Sequence, residues 1–308
     1  MNLFQTSPEL DTVKDKQSET KIIRNLLGKE TAETRYHKDM DQQETPLVGG
    51  QMTSITRKDD KVYRDASFWT PAVHQLLDYL EKRGFDNAPH ALGFDDKGRE
   101  ILTYISGEAG YFDQTKTVPK NLWSDKVLIE SAQLLRKYHD ATVGLKPSSD
   151  AKWQTVCGGP LERDVICHND FAPYNCIFDG DHLKAMIDFD TAGPGPRLYD
   201  IAYAVYSFVP LFTDEKCHKV GLDKAPDRTR KLQIFCDAYG RGYCDGVVDM
   251  IIERLQDLRQ MVLDKAAAGD SRFQHKIDEG HVNEYEADIA MITSMHDELE
   301  SSLQDSNS

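Results

Sequence analysis

The chain has 308 residues, 39% of them hydrophobic and 29% charged, with a net charge of −15. That size suits one or two globular domains with a substantial core, and the acidic balance argues against nonspecific nucleic-acid binding, which needs a basic face against the phosphates. No apolar run approaches the roughly 20 residues needed to span a membrane, and the opening MNLFQTSPELDTVKDKQ lacks the basic-then-apolar order of a secretory signal, so a cytoplasmic protein is expected.

Residues 1–46 are polar and mixed in charge, with one short amphipathic piece at Ile22, Ile23, Leu26 and Leu27; a partly ordered extension is expected. Gly28-Lys29 is not a Walker A motif, because the position five residues before Gly28 is Ile23 rather than Gly. From Leu47 the character changes. Gly49-Gly50 leads into a strand Ser54–Arg57, a turn at Lys58-Asp59-Asp60 and a second strand Lys61–Arg64, a hairpin by its turn residues. Thr70-Pro71 starts a helix, Thr as N-cap and Pro in the first turn. Val73, Leu76, Leu77 and Leu80 form its apolar stripe, and Gly84 ends it. Glu100–Ile105 reads as a strand broken by Ser106-Gly107-Glu108, and Ser124–His139 as a helix. Six cysteines, at 157, 167, 176, 217, 236 and 244, form no C-x-x-C pair, which argues against zinc and against a disulfide framework.

The segment from Ile166 to Asp190, ICHNDFAPYNCIFDGDHLKAMIDFD, carries the chemistry. Asp179-Gly180 is a reverse-turn signal between the strand-like runs Cys176–Phe178 and Leu183–Phe189. Extended chain could hold Asn175 and Asp188 roughly 43 Å apart; a hairpin should bring them within about 10 Å. An amide oxygen and a carboxylate that close suit Mg²⁺, a hard cation that shares its oxygen ligands with phosphates. Asp170 falls in the loop entering the hairpin, open to an incoming hydroxyl.

Asp170, four intervening residues, Asn175, then a hairpin ending in Ile187-Asp188-Phe189 resembles the catalytic segment of the aminoglycoside phosphotransferase family, whose fold is protein-kinase-like. Tyr199-Asp200-Ile201-Ala202 follows at that family's usual distance. The resemblance covers about residues 47–300 and implies an α+β, two-lobed architecture, with a small β-rich N-terminal lobe and a larger, mostly helical C-terminal lobe. It divides the chain into the extension 1–46, a nucleotide-binding lobe 47–105 and a catalytic and acceptor-binding lobe 106–308. It implies that Asp170 aligns the acceptor hydroxyl, that Asn175 and Asp188 hold Mg²⁺, and that His168 and Asp200 brace the loop. In the first lobe it puts Gly49, Gly50 and Arg64 on the nucleotide phosphates, Arg64 standing where a lysine is usual. Backbone groups of Thr103 and Ile105 would receive the base. The carboxylate that normally pairs with the phosphate-binding cation comes from the helix after it; here Val73 and His74 stand in its place, and His74 could orient Arg64 only indirectly.

Beyond Asp200, helices are expected at Ile201–Phe208, Arg228–Tyr239, Val247–Ala266 and Gly280–Glu300. Residues 270–308 carry ten Asp or Glu against two Lys or Arg, which makes Glu284, Glu286 and Asp288 the first positions to test for a cationic acceptor. The expected activity is therefore Mg²⁺-dependent transfer of the γ-phosphoryl group of ATP or GTP to a small-molecule hydroxyl, with no nucleic-acid or membrane partner. The alternatives from other classes are a kinase-fold regulatory or binding protein, and a metal-dependent phosphoesterase.

Overall fold

The computed structural model describes residues 44–47, 55–110, 121–155, 157 and 163–304. Strands β1 (Thr45–Pro46), β2 (Ile55–Lys58), β3 (Lys61–Asp65), β4 (Ala91–Phe94) and β5 (Arg99–Thr103) form one sheet in the order β1-β2-β3-β5-β4. Burial alternates along β4 and β5 but not along β2. The β2–β3 turn closes on Asp59-Asp60 with Asp59 left-handed at φ 54°, and β3 pairs with β5 so that Arg64 lies directly opposite Glu100.

Between β3 and β4 runs helix α1 (Thr70–Lys82), which buries Val73, Leu76, Leu77 and Leu80, the stripe expected from their spacing. Its start differs by one position. Thr70 is the first helical residue and Trp69 the cap; the Thr70 hydroxyl accepts instead from the Ser67 N–H at 2.9 Å. The strand expected at Glu100–Ile105 ends at Thr103, because the chain then leaves the sheet toward the second half.

The second half begins with β6 (Glu108–Ala109) and helix α2 (Asp125–Thr142), capped by the Ser124 hydroxyl on the Val127 N–H. Strand β7 (Val165–Cys167) pairs with β10 (Gly193–Gly195), and β8 (Cys176–Asp179) and β9 (His182–Met186) form the hairpin between them. β6 adds to β8 from the other side. A Cβ on Gly110 would lie 2.2 Å from the Pro173 carbonyl oxygen, so that approach requires glycine. The second hairpin strand stops at Met186 rather than Phe189: Asp188 turns left-handed at φ 63° and Phe189–Thr191 form a 3₁₀ turn.

Helices complete this half: α3 (Arg197–Phe208), α4 (Asp214–Lys219), α5 (Arg228–Tyr239), α6 (Val247–Ala267), α7 (Ser271–Asp278), α8 (His281–Ser294) and α9 (His296–Gln304). α3 begins four residues before the expected Ile201. The expected Gly280–Glu300 helix is two, separated at Met295. α4 and α7, of six and eight residues, are too short to show a clear apolar period. The architecture is α+β and two-lobed, and α2, α3, α5 and α6 enclose the principal core of Leu128, Leu135, Tyr138, Val205, Phe235, Ile251 and Leu255. All six cysteines are buried and unpaired. Among the described residues no helix is long and apolar enough to cross a membrane.

Candidate active site

The loop between β7 and β8 is held from below by α3. Asp200, in the first turn of α3 and fully buried, accepts from the His168 N–H at 2.7 Å and the Asn169 N–H at 2.8 Å. Asp200 thus acts on the loop from inside the helix, whose N-cap is Pro196. Burial alone would raise its carboxyl, but the His139 hydrogen bond at 2.9 Å and the His168 backbone N–H oppose it, and the net shift is below the ordinary range. His139 Nδ1 faces the Tyr239 hydroxyl at 2.6 Å. That network assigns the proton to Nε2.

His168 donates Nε2–H to the Ile187 carbonyl at 3.0 Å and packs its ring 4.7 Å from that of Phe189. It thereby ties the loop to the end of the hairpin. Asn169 and Phe171, on either side of Asp170, are both buried. Asn169 is left-handed at φ 65°, a region where Asn is favoured among non-glycine residues. Its amide donates to the Thr191 carbonyl at 2.9 Å, and its own carbonyl accepts from Arg254 Nη2 at 2.8 Å.

Asp170 follows with its carboxylate between two loop neighbours, Tyr174 on Oδ1 at 2.5 Å and Asn175 Nδ2 on Oδ2 at 3.0 Å. Burial pushes its carboxyl up, the Tyr174 hydrogen bond opposes, and Asp188 adds to the rise; the net shift is upward. Asn175 also donates to the Asp170 carbonyl at 2.9 Å, so its amide hydrogens point at Asp170 and Oδ1 is left as the acceptor end. The Ile187 N–H reaches the Asn175 carbonyl at 2.9 Å, which brings Asp188 within one residue of Asn175 across the hairpin.

Arg64 meets this end of the hairpin. Its Nη1 lies 3.1 Å from Asp188 Oδ1 and its Nη2 2.5 Å from Asp190 Oδ1, while Nε sits 2.5 Å from Glu100 Oε1. The other oxygen of Glu100 is 3.0 Å from His74 Nε2. A carboxylate does partner Arg64, then, from the neighbouring strand rather than from α1, and His74 acts on Arg64 through it. Burial would lower the Arg64 pKa, but Asp190, Glu100 and Asp188 outweigh it and raise it, so the guanidinium stays charged. Burial pushes the Asp190 carboxyl up to about 6, with Arg64 opposing and Asp188 and Glu100 adding.

Other expected positions fall differently. The Thr103 N–H is already donated to the His90 carbonyl at 3.0 Å, whereas the Ile105 backbone has no hydrogen-bond partner among the described residues. Gly49 and Gly50 lie outside the described residues. Asp288 is buried under the Tyr206 hydroxyl, the Thr213 N–H and Lys216. Glu284 pairs with Lys219, and Glu286 with Arg259. These three carboxylates hold α8 to its neighbours and are not an open acceptor surface.

Sequence reasoning passed over Glu100, Tyr174, Tyr203, Asn169 and Arg254. Arg254 had a signal: it interrupts the apolar face of Ile251, Leu255 and Leu258 and is itself buried.

The sequence model of the phosphotransferase enzyme family matches residues 150–232, across the loop and hairpin. The trifolitoxin immunity protein of Rhizobium leguminosarum bv. trifolii is 33% identical over 212 residues, covering 67% of this chain and 78% of that protein. Among solved structures, a choline kinase from Cryptosporidium parvum Iowa II aligns over 93% of this chain and 99% of its own, at 11% identity and a TM-score of 0.53. The GDP complex of aminoglycoside 2'-phosphotransferase-IIIa aligns over 90% and 99%, at 15% identity and a TM-score of 0.51. At such identities the two structures speak for the fold. With the sequence relative and the family match across the loop, they establish that the chain belongs to the aminoglycoside phosphotransferase family of protein-kinase-like phosphotransferases.

Proposed function

We propose that this protein transfers the γ-phosphoryl group of ATP or GTP to a hydroxyl group of a small molecule. The observation that carries the reading is a convergence: Arg64 from the first sheet reaches Asp188 at 3.1 Å, while Asn175, beside Asp188 across the hairpin, is hydrogen-bonded to Asp170. Phosphate-binding cation, oxygen ligands and hydroxyl-aligning carboxylate thus stand together, as phosphoryl transfer needs.

The donors present fit Mg²⁺. Asn175 Oδ1 has no hydrogen-bond partner among the described residues, and the Asp188 side chain is 47% exposed. An amide oxygen and one carboxylate suit a hard cation that takes its other ligands from phosphates and water. When bound, Mg²⁺ would neutralise and orient the phosphate oxygens. Glu100 and His74 hold the Nε side of Arg64, and Nη1 and Nη2, which meet Asp188 and Asp190, each keep a second N–H that would serve the nucleotide phosphates. Gly49 and Gly50 would approach the same phosphates. Ile105 offers the backbone edge for the base; of Thr103 only the carbonyl could share in it, since its N–H is engaged. His168 and Asp200 fix the loop, so Asp170 is presented without a search over conformers. Asp170 aligns the acceptor hydroxyl and takes its proton as the new P–O bond forms and the nucleoside diphosphate departs, positioning and charge stabilisation supplying most of the effect. The reaction draws on the nucleotide pool of the cytoplasm, where we place the protein.

A binding protein without chemistry was suggested by the lack of a carboxylate on α1 for Arg64, and Glu100 removes that ground. A phosphoesterase would call for a denser cluster; among the described residues no group of three or more His, Cys, Asp or Glu could hold a metal. The acceptor remains to be found by assay. γ-Labelled ATP and GTP should be offered with aminoglycosides, choline-like amino alcohols, sugars and hydroxyl-bearing peptides; the last belong there because the sequence relative is named an immunity protein. Asp170→Ala should abolish transfer while nucleotide binding persists, and transfer at the wild-type rate by that variant would sink the proposal.

A further inference from the structure

Lys216, on α4, holds its ammonium among three aromatic rings and two carboxylates. Nζ lies 5.4 Å from the ring centroid of Tyr206, 5.4 Å from that of Phe212 and 5.7 Å from that of Tyr285. It donates to the Tyr206 hydroxyl at 2.8 Å and to Asp288 Oδ2 at 3.1 Å, and Glu284 stands at 3.6 Å. The walls have contacts of their own. Tyr206 donates to Asp288 Oδ2 at 2.7 Å and the Thr213 N–H to Oδ1 at 2.8 Å, so a carboxylate only 1% exposed joins α3, the start of α4 and α8. Rings so placed attract an ammonium through their π faces, more strongly where water is kept out. The Lys216 side chain is 21% exposed, so the cage is screened from solvent but open on one side.

This cage borders the Asp170 site. The Tyr206 ring lies 6.1 Å from that of Tyr203 on α3, and the Tyr203 hydroxyl is 2.7 Å from that of Tyr174, which donates to Asp170. From α8, Tyr285 is close enough to Asp170 that burial and then the charge of that carboxylate push its phenol up to about 12. We propose that the cage is the ammonium-binding wall of the acceptor site and that the chain fills it with its own Lys216, which makes Lys216 a specificity-determining residue: the acceptor is an uncharged hydroxyl compound that brings no ammonium group to that wall. Asp288 and Glu284 already balance the lysine, so it is not offered to an anionic acceptor either. The proposal rests on the reading of Asp170 as the residue that aligns the acceptor hydroxyl.

Lys216→Ala removes the side chain from Cγ to Nζ, which is the outline of propylammonium. Propylammonium chloride should raise the melting temperature of Lys216→Ala and leave wild type where equal sodium chloride leaves it, with propanol moving neither. Should Lys216→Ala not fold alone, its refolding yield in propylammonium against sodium chloride reads the same binding. In transfer assays, amino alcohols should be about tenfold better acceptors by kcat/KM for Lys216→Ala than for wild type. A lysine acting only as a strut would change stability and leave the order of acceptors as it is. No effect of propylammonium on the variant, or wild-type transfer to amino alcohols as efficient as to uncharged acceptors, would overturn the proposal. If wild type phosphorylates no acceptor, the functional reading fails by itself, and the propylammonium result still decides whether the cage takes an ammonium ion.

Discussion

Glu100→Gln removes one charge from the Arg64 cluster and little else. Glu100 is 1% exposed and Arg64 8%, so solvent does little to screen their contact at 2.5 Å. A buried cation left with no partner would cost about 3–5 kcal/mol. Arg64 keeps Asp188 and Asp190, and glutamine keeps one acceptor oxygen, so the loss should approach that of trading a charge-assisted hydrogen bond for a neutral one, about 2 kcal/mol. In a chain of 308 residues that lowers the melting temperature by about 3 °C. The function should suffer in a specific way. Without Glu100 on Nε, the guanidinium is held only by Asp188 and Asp190 and loses the anchor that fixes its orientation toward the phosphates. Nucleotide affinity should then fall by about tenfold, equivalent to about 1.4 kcal/mol. Thermal melts and titration with ATP and Mg²⁺ read the two effects independently. Unchanged melting together with unchanged affinity would refute the reasoning, since nothing else on the described strands holds the Nε side of Arg64.

Two further outcomes follow from the same site. The Asp190 carboxyl, at about 6 against an ordinary 3.8, is raised in the folded state, so its contribution to stability is full below the unfolded value and lost as pH rises through about 6. Asp190→Asn does not titrate; its melting temperature relative to wild type should improve between pH 4 and pH 7, and a flat difference across that range would contradict the assignment. Arg254→Met leaves the Asn169 carbonyl buried without its donor, which should cost about 1–3 kcal/mol in urea unfolding and lower turnover while nucleotide affinity is kept; loss of affinity in step with turnover would mean that Arg254 does not act through the loop.

What the sequence made legible was local. The turn at Asp179-Gly180, the strand-like runs on either side and the spacing from Asp170 to Asn175 are properties of contiguous chain, and the β8–β9 hairpin forms about that turn. Helices with a long apolar period, such as Arg228–Tyr239, are found at the expected residues. The misses are nonlocal or sit at breaks. Glu100 pairs with Arg64 across 36 residues of chain through strand register, which a search confined to the following helix could not reveal. Asn169 and Tyr174 owe their importance to a left-handed turn and to a contact with α3, neither of which has a spacing rule. Asp288 looked like an open carboxylate because an acidic run does not show which members are buried beneath Lys216.

The most direct test of the central claim compares nucleotide binding with and without Mg²⁺ in wild type, Asp170→Asn and Asp188→Asn. Asp170→Asn should keep the Mg²⁺-dependent gain in ATP or GTP affinity and lose phosphoryl transfer, whereas Asp188→Asn should lose the Mg²⁺-dependent gain itself. Equal Mg²⁺ enhancement in all three proteins, with transfer preserved in Asp170→Asn, would contradict the account.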